Sequence, residues 1–507
     1  MHRSKRLLIL VGVLAVVCAA AFLATRVQEQ QEQVEASGET VLAIDAGNVA
    51  SLAWTSGEAE YAFHKDETWI YDADEAFPVS AEALEELLAP FSSFNAAFVI
   101  RDVTDYAQYG LEEPECTIEI GTAEASYTIA LGDMSAMDDQ RYVSIGDGNV
   151  YLAVTDPMDA FAVELSDLID NDEIPQMDTV TALSLTGAVE ESIAYVEAGG
   201  PSYSDEDVYF LQSGEESLPL DTDLVEDYLG GIRDLVLTDY ATYNATEIEL
   251  ASFGLNDPAL TVTVEYEQQA EAAEEGAEPE TTAGTLALHI GRVEEEAEES
   301  AEETEESAED AQGEEETAQE DVQYAYYLRV GDSQIVYNLS DADGEALFAA
   351  SYDDLRHRQL FWGDFDDVTQ ATILLDNQTY TLTAQTAETA DAAAAEEPAG
   401  SAKPTAAAED DAEITWTCNG EPVDVTGIRD KLAALTAEAF TEEAPADQLE
   451  ISLTLDLNDE DVPQVRIQLY RYDGASCLAV LDGEPAALVA REDVVDLMEA
   501  VRTLLLG

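Results

Sequence analysis

Positive charge is scarce in this sequence. Only 19 Lys plus Arg stand against 111 Asp plus Glu, a formal net charge of -92 over 507 residues. Such a field repels nucleic acid and anionic lipid headgroups, so no nucleic-acid partner is expected. Cysteine is scarcer still, at four residues. Cys18 lies inside an N-terminal apolar run, which leaves Cys116, Cys418 and Cys477 far apart with no C-x-x-C spacing, and hence no zinc or thioredoxin-type motif. A disulfide between Cys418 and Cys477 stays open; buried free thiols are the preferred reading, because an unpaired cysteine packs as a small hydrophobe. The four histidines, His2, His64, His289 and His357, form no H-E-x-x-H pair. There is also no G-x-S-x-G elbow, no Walker loop and no G-x-G-x-x-G after a strand.

Carboxylates have the opposite problem. They are so frequent that a pair within catalytic reach carries no specificity. Asp456-Leu457-Asn458-Asp459-Glu460-Asp461 alternates oxygen ligands but lacks the turn glycine and closing glutamate of an EF-hand, and Leu339 occupies the first ligand position before Asp341-Ala342-Asp343-Gly344. The 22 tyrosines and four tryptophans could line a glycan-binding face, yet most lie on alternating strands where core packing accounts for them. No catalytic residue, cofactor or metal site is therefore assigned.

What is present begins at the N-terminus. Arg3, Lys5 and Arg6 precede an uncharged run from Leu7 to Ala24, long enough as a helix, about 27 Å, to cross a bilayer. The positive-inside rule gives a cytoplasmic tail over 1–6, a transmembrane signal anchor over 7–25 and an extracytoplasmic remainder, starting with a polar stalk over 26–43. Cleavage near Ala19–Ala21 and lipidation at Cys18 are the competing readings, and all three export the rest of the chain. Apolar residues are 46% of the composition, enough for buried cores, and the length suits about three domains.

Three segments share an order of features: 44–173, 174–361 and 362–507. Each opens with an alternating strand (Val49, Leu52, Trp54; Val180, Leu183, Leu185; Val368, Ile373), then a second strand, then a third carrying Trp69, Phe210 or Trp416. A proline-apolar-hydroxyl signal follows, at Pro78-Val79-Ser80, Pro219-Leu220-Asp221-Thr222 and Pro422 to Thr426, with Ser or Thr as the expected helix cap. The helices repeat every 3.6 residues: Leu84, Leu87, Leu88, Phe91; then Leu224, Val225, Tyr228, Leu229, Ile232; then Ile428, Leu432, Leu435, Ala439. After them, Tyr109-Gly110-Leu111-Glu112-Glu113-Pro114 matches Phe253-Gly254-Leu255-Asn256-Asp257-Pro258, and further strands follow. Gly110 and Gly254 imply a special backbone angle or a close approach, Leu111 and Leu255 a core plug, and Pro114 and Pro258 the far side of the turn. The fold class is α+β: tandem repeated units of antiparallel sheet with one main helix each, after a single N-terminal transmembrane helix. Low-complexity inserts at 294–321, with 16 acidic residues in 28, and at 384–413 read as solvated loops without stable structure, with cation buffering or partner docking as the other reading.

The aromatic strand, the Pro-apolar-Ser helix start, the Tyr109-Gly110-Leu111 string ending in Pro114, the Leu131-Gly132 strand end and Arg141-Tyr142-Val143 together resemble the bacterial domain of unknown function 4340, over most of residues 44–361. The resemblance implies a membrane-anchored protein with tandem copies of the domain. It carries no catalytic residues, and implies an accessory role beside ABC-type transport components. The expectation is a non-enzymatic extracytoplasmic scaffold at the cell membrane, whose partners are the membrane, through its N-terminal helix, and transporter subunits or other envelope proteins. A solute- or glycan-binding module is the alternative, and an envelope hydrolase a more distant one.

Overall fold

The computed structural model describes residues 39–506 except 58, 137–138, 198–199, 215, 270–280, 295–321, 387–413, 447 and 460–461. These residues form mostly sheet: three nine-stranded sheets, in which every described strand pairing between labelled strands is antiparallel. The first holds β1 (Glu39–Leu42), β2 (Val49–Ser56), β3 (Ala59–Lys65), β4 (Trp69–Tyr71), β5 (Phe94–Ile100), β6 (Cys116–Thr122), β7 (Ser126–Met134), β8 (Arg141–Ser144) and β9 (Val150–Ala153). The second holds β10 (Thr179–Gly187), β11 (Glu191–Tyr195), β12 (Tyr209–Ser213), β13 (Glu216–Pro219), β14 (Tyr240–Thr242), β15 (Leu260–Gln269), β16 (Thr281–Glu294), β17 (Tyr324–Val330) and β18 (Val336–Leu339). The third holds β19 (Val368–Leu375), β20 (Gln378–Thr386), β21 (Ile414–Cys418), β22 (Glu421–Val423), β23 (Ala437–Phe440), β24 (Leu449–Leu457), β25 (Gln464–Arg471), β26 (Ser476–Leu481) and β27 (Glu484–Ala490).

The strand orders are one order. Eight strands run β5-β9-β8-β7-β6-β2-β3-β4, β14-β18-β17-β16-β15-β10-β11-β12 and β23-β27-β26-β25-β24-β19-β20-β21, and the ninth sits at an edge as β1, β13 or β22. In each sheet three strands meander outward, continued by β13 or β22 in the second and third, and a helix follows. The next strand lies at the far side, and the last four strands fill the space between. The helices that matter below are α1 (Ala81–Ser92), α2 (Thr222–Arg233), α3 (Glu247–Ser252), α4 (Asp341–Phe348), α5 (Tyr352–Leu355), α6 (Thr426–Ala433) and α7 (Arg491–Leu506). Two compact units result: residues up to Glu173 with Tyr240–Ala245 and Gln334–Val336, and the rest of the chain, which carries the third sheet.

Alternation puts one face of each central strand in a core. Leu52 and Trp54, Ile118 and Ile120, Leu183 and Leu185, Val262 and Val264, and Leu453 and Leu455 are all buried. Leu84, Leu87, Leu88 and Phe91 bury one stripe of α1, whose cap is Ser80, accepting from the Ala83 amide. The cap of α2 is Asp221 rather than Thr222, whose hydroxyl instead donates to the Glu206 carbonyl. In the third segment Val425 occupies the cap position and Asp424 accepts from the Thr426 amide and hydroxyl. A carboxylate caps these ends as well as a hydroxyl does, which the proline-apolar-hydroxyl signal does not separate.

Other expectations need correcting. Ala439 is not on a helix face: α6 stops at Ala433, and Ala437–Phe440 becomes β23, drawn out by pairing with β27. One main helix per unit is too few, since α7 has 16 residues against eight in α6. The stalk yields its last residues, Glu39–Leu42, to β1. The second insert starts later than residue 384, because Ala384, Gln385 and Thr386 pair with Trp416, Thr415 and Ile414. The signal anchor, the stalk up to residue 38, residues 295–321 and residues 387–413 lie outside the described residues. Among the described residues no helix is long and apolar enough to cross a membrane.

Cys116, Cys418 and Cys477 are free and buried. Burial pushes the Cys116 and Cys477 thiols up to about 11, because a thiolate would lose its hydration there. In the folded protein neither should react with a thiol reagent at about pH 8, and both should react on unfolding. Labelling measured before and after denaturant checks this, and rapid native labelling would contradict it.

Candidate functional site

The most developed polar cluster lies where the second segment ends and the third begins. The loop from β11 to β12 supplies Ser202 and Asp207, the residue capping α2 is Asp221, and the chain after α5 supplies His357 and Trp362. Asp207 is 2% exposed, a position a carboxylate occupies only when its oxygens are satisfied. His357 Nε2 lies 2.9 Å from one of its oxygens. The Trp362 indole N–H donates to the other at 2.9 Å, and the Ser202 hydroxyl donates to that same oxygen. His357 stacks on Trp362, ring centroids 4.4 Å apart and 9° from parallel, and its Nδ1 faces Asp221 at 3.5 Å.

The same chain segment is tied on its other side. Tyr203 packs on Trp362 at 4.3 Å between centroids and donates its hydroxyl to Asp482 at 2.5 Å. Burial, with Asp482 beside it, pushes that phenol far up. The Leu360 amide donates to the Leu435 carbonyl and the Ala437 amide to the Arg358 carbonyl, while the Arg356 guanidinium sits 3.5 Å over the Phe440 ring. A Cβ on Gly363 would collide with the Tyr203 carbonyl oxygen, so glycine is needed for this approach.

In nucleophilic catalysis a serine hydroxyl donates to an imidazole whose other nitrogen is held by the carboxylate. Here serine and imidazole converge on one carboxylate instead, so the geometry holds chain segments together and does not activate the hydroxyl. A cleft of about 490 Å³ adjoins the cluster, lined by Glu206, Asp223 and Arg358 among others. Beyond it Asp205, Asp364, Asp366 and Asp459 surround Asp367, whose carboxyl is raised by burial and by these neighbours. No group of His, Cys, Asp and Glu among the described residues is arranged to hold a metal ion.

Two other histidines are strand residues. His64 lies 2.5 Å from Asp72, whose hydrogen bond raises its pKa, and His289 pairs with the Thr261 hydroxyl at 3.2 Å. Burial, then Arg329, lowers the pKa of His289. The calcium-like strings are also accounted for: Asp456 accepts from the side-chain amides of Gln370 and Gln464, and Asp341 opens α4 behind the Ser340 cap.

The repeated string forms two equivalent turns. Gly110 and Gly254 have φ of +67° and +70°, a region that favours glycine. Leu111 and Leu255 are 9% and 4% exposed. Pro114 and Pro258 are half-buried at the entries to β6 and β15. The partner is a glycine inside a strand, since β7 runs on past Gly132 to Met134 and β16 past Gly291 to Glu294: a Cβ on Gly132 would collide with the Tyr109 carbonyl oxygen, and one on Gly291 with that of Phe253. Beside each, Tyr109 packs on Tyr142 and Phe253 on Tyr327, at 4.9 and 4.7 Å between centroids. These residues serve packing in two places by one geometry. Arg141, next to Tyr142, is buried and holds Asp156, Glu115 and the Gly132 carbonyl.

Sequence reasoning missed the cluster around His357, Asp207 and Trp362. Its signal was local: Arg356-His357-Arg358 followed by Phe361-Trp362 sets cationic residues beside aromatic ones in a chain with few cations.

Compared with known proteins, residues 69–247 match the family model described as Domain of unknown function (DUF4340). No curated protein and no solved structure matches the chain.

Proposed function

We propose that this chain, which carries the domain of unknown function DUF4340 over residues 69–247, is a non-enzymatic scaffold of the cell envelope, assembled from three copies of one α+β unit. It is anchored by residues 7–25, holds its acidic bulk outside the cytoplasm, and serves as an accessory to other membrane proteins, ABC-type transporter subunits among them. The observation that carries this reading is the cluster at Asp207. The most buried polar side chains of the second compact unit are used to hold segments of chain against one another. The common strand order of the three sheets supports the reading of repeated copies.

The topology has a direct test. An epitope placed at the C-terminus should be digested when protease is added to intact, wall-stripped cells, and should survive if the chain faces the cytoplasm. The scaffold reading also requires that the chain, released gently from membranes, runs on native size analysis as part of a larger assembly. A chain recovered alone and monomeric would contradict it.

A further inference from the structure

A cavity of about 310 Å³ opens on the helical layer of the second segment, between α2 and the pair α4 and α5. Its walls are apolar, formed by Leu224, Tyr228, Leu235, Leu347 and Leu355. Asp227, Asp343 and Asp354 also line it and are exposed, with Arg358 the one cationic residue in its lining.

Two further observations bear on what fills it. The first is Gly230-Gly231 in the last turns of α2. Glycine is a poor helix former, and a Cβ at either position would meet nothing within 4 Å. The protein's own packing does not ask for glycine there, whereas a second backbone approaching Gly231 at the cavity would. The second is the third segment. There α7 packs across α6, burying Val494, Leu497, Met498 and Val501, and Ala500 comes within 3.8 Å of a Cβ placed on Gly427. A 16-residue amphipathic helix thus covers the main helix of the third segment, where the second has only the eight-residue α4 and the short α5.

We propose that this cavity receives an amphipathic, positively charged helix from a partner protein. Apolar side chains at helical spacing enter the cavity, the partner backbone lies against Gly231, and Lys or Arg beside them meet Asp227, Asp343 and Asp354. The inference rests on the scaffold reading and names the kind of partner it takes. A second copy of this chain is the wrong occupant, since each carries a formal charge of -92.

The probe is a fluorescent synthetic peptide of Leu, Ala and Lys, about 16 residues long, with Leu at i, i+3, i+4 and i+7. Its control has the same composition in shuffled order. With the full chain at about 0.15 M salt, fluorescence anisotropy should show the ordered peptide binding at least about tenfold tighter than the shuffled one. Gly231→Leu should weaken that binding at least about tenfold while raising the thermal midpoint, because it fills the cavity and improves the helix. Asp227→Asn should weaken binding and flatten its salt dependence. Equal binding of the two peptides, no binding, or binding unaffected by Gly231→Leu would overturn the assignment, as would self-association that Gly231→Leu abolishes. If membrane proteins co-purify equally well with the wild type and with Gly231→Leu, the cavity assignment fails alone. If the peptide binds as expected but no membrane protein co-purifies, the scaffold reading fails and the cavity stands.

Discussion

Asp207→Ala is expected to remove about 3–5 kcal/mol of stability. The substitution deletes the acceptor of the Ser202 hydroxyl, the Trp362 indole N–H and His357 Nε2 together, in a place almost closed to water. The indole N–H keeps the Ser202 hydroxyl oxygen as an acceptor at 3.1 Å, so the loss falls on the Ser202 hydroxyl and His357 Nε2, and each buried orphan costs roughly 1–3 kcal/mol. Asp207→Asn keeps an oxygen for the indole and should cost less. Denaturant unfolding of the full chain, followed by tryptophan fluorescence, measures the difference. A loss within about 0.5 kcal/mol for Asp207→Ala, the range of ordinary surface substitutions, would mean that water already solvates the cluster and that it braces nothing.

The second large effect belongs to the repeated turn. Leu255→Ala should cost about 2–5 kcal/mol, and Leu111→Ala a similar amount. Gly291→Ala and Gly132→Ala should cost about as much by the opposite route, because a methyl group would be forced against the backbone carbonyl of Phe253 or Tyr109. The leucine and its glycine belong to one packed turn, so the double variant Leu255→Ala with Gly291→Ala should lose less than the sum of the two. Leu111 and Gly132 belong to the first compact unit and Leu255 and Gly291 to the second. Calorimetry should therefore show each pair shifting its own transition. If all transitions move together, the units unfold as one, and if none moves the string is not a core plug.

Those turns were legible in the sequence because the geometry needs glycine, and glycine cannot be replaced silently. The aromatic strands and the buried stripe of α1 were legible through alternation and helical spacing, both of which report burial directly. The strands β5, β14 and β23 were not. They are short or irregular in pattern, and pairing with the last strand of each sheet defines them more than their own residues do. The same competition ended α6 before Ala439. The helix α7 shows a clear apolar stripe at Val494, Leu497, Met498 and Val501. Among the described residues the other segments have no counterpart of that length, so a repeated order of features does not contain it. The Asp207 cluster escaped for a different reason. Its members are up to 160 residues apart in sequence, and in a chain with 111 acidic residues no single aspartate stands out.

If this protein works by holding partners at the membrane rather than by turning over a substrate, its contacts in the living cell decide the matter. Cross-linking on intact cells, followed by purification of the full chain and identification of what is attached, tests this most directly. The predicted result is a small, reproducible set of membrane or envelope proteins, with transporter subunits among them, joined to the extracytoplasmic portion. Recovery of the chain free of cross-linked protein, under conditions that capture known assemblies in the same membrane, would contradict it.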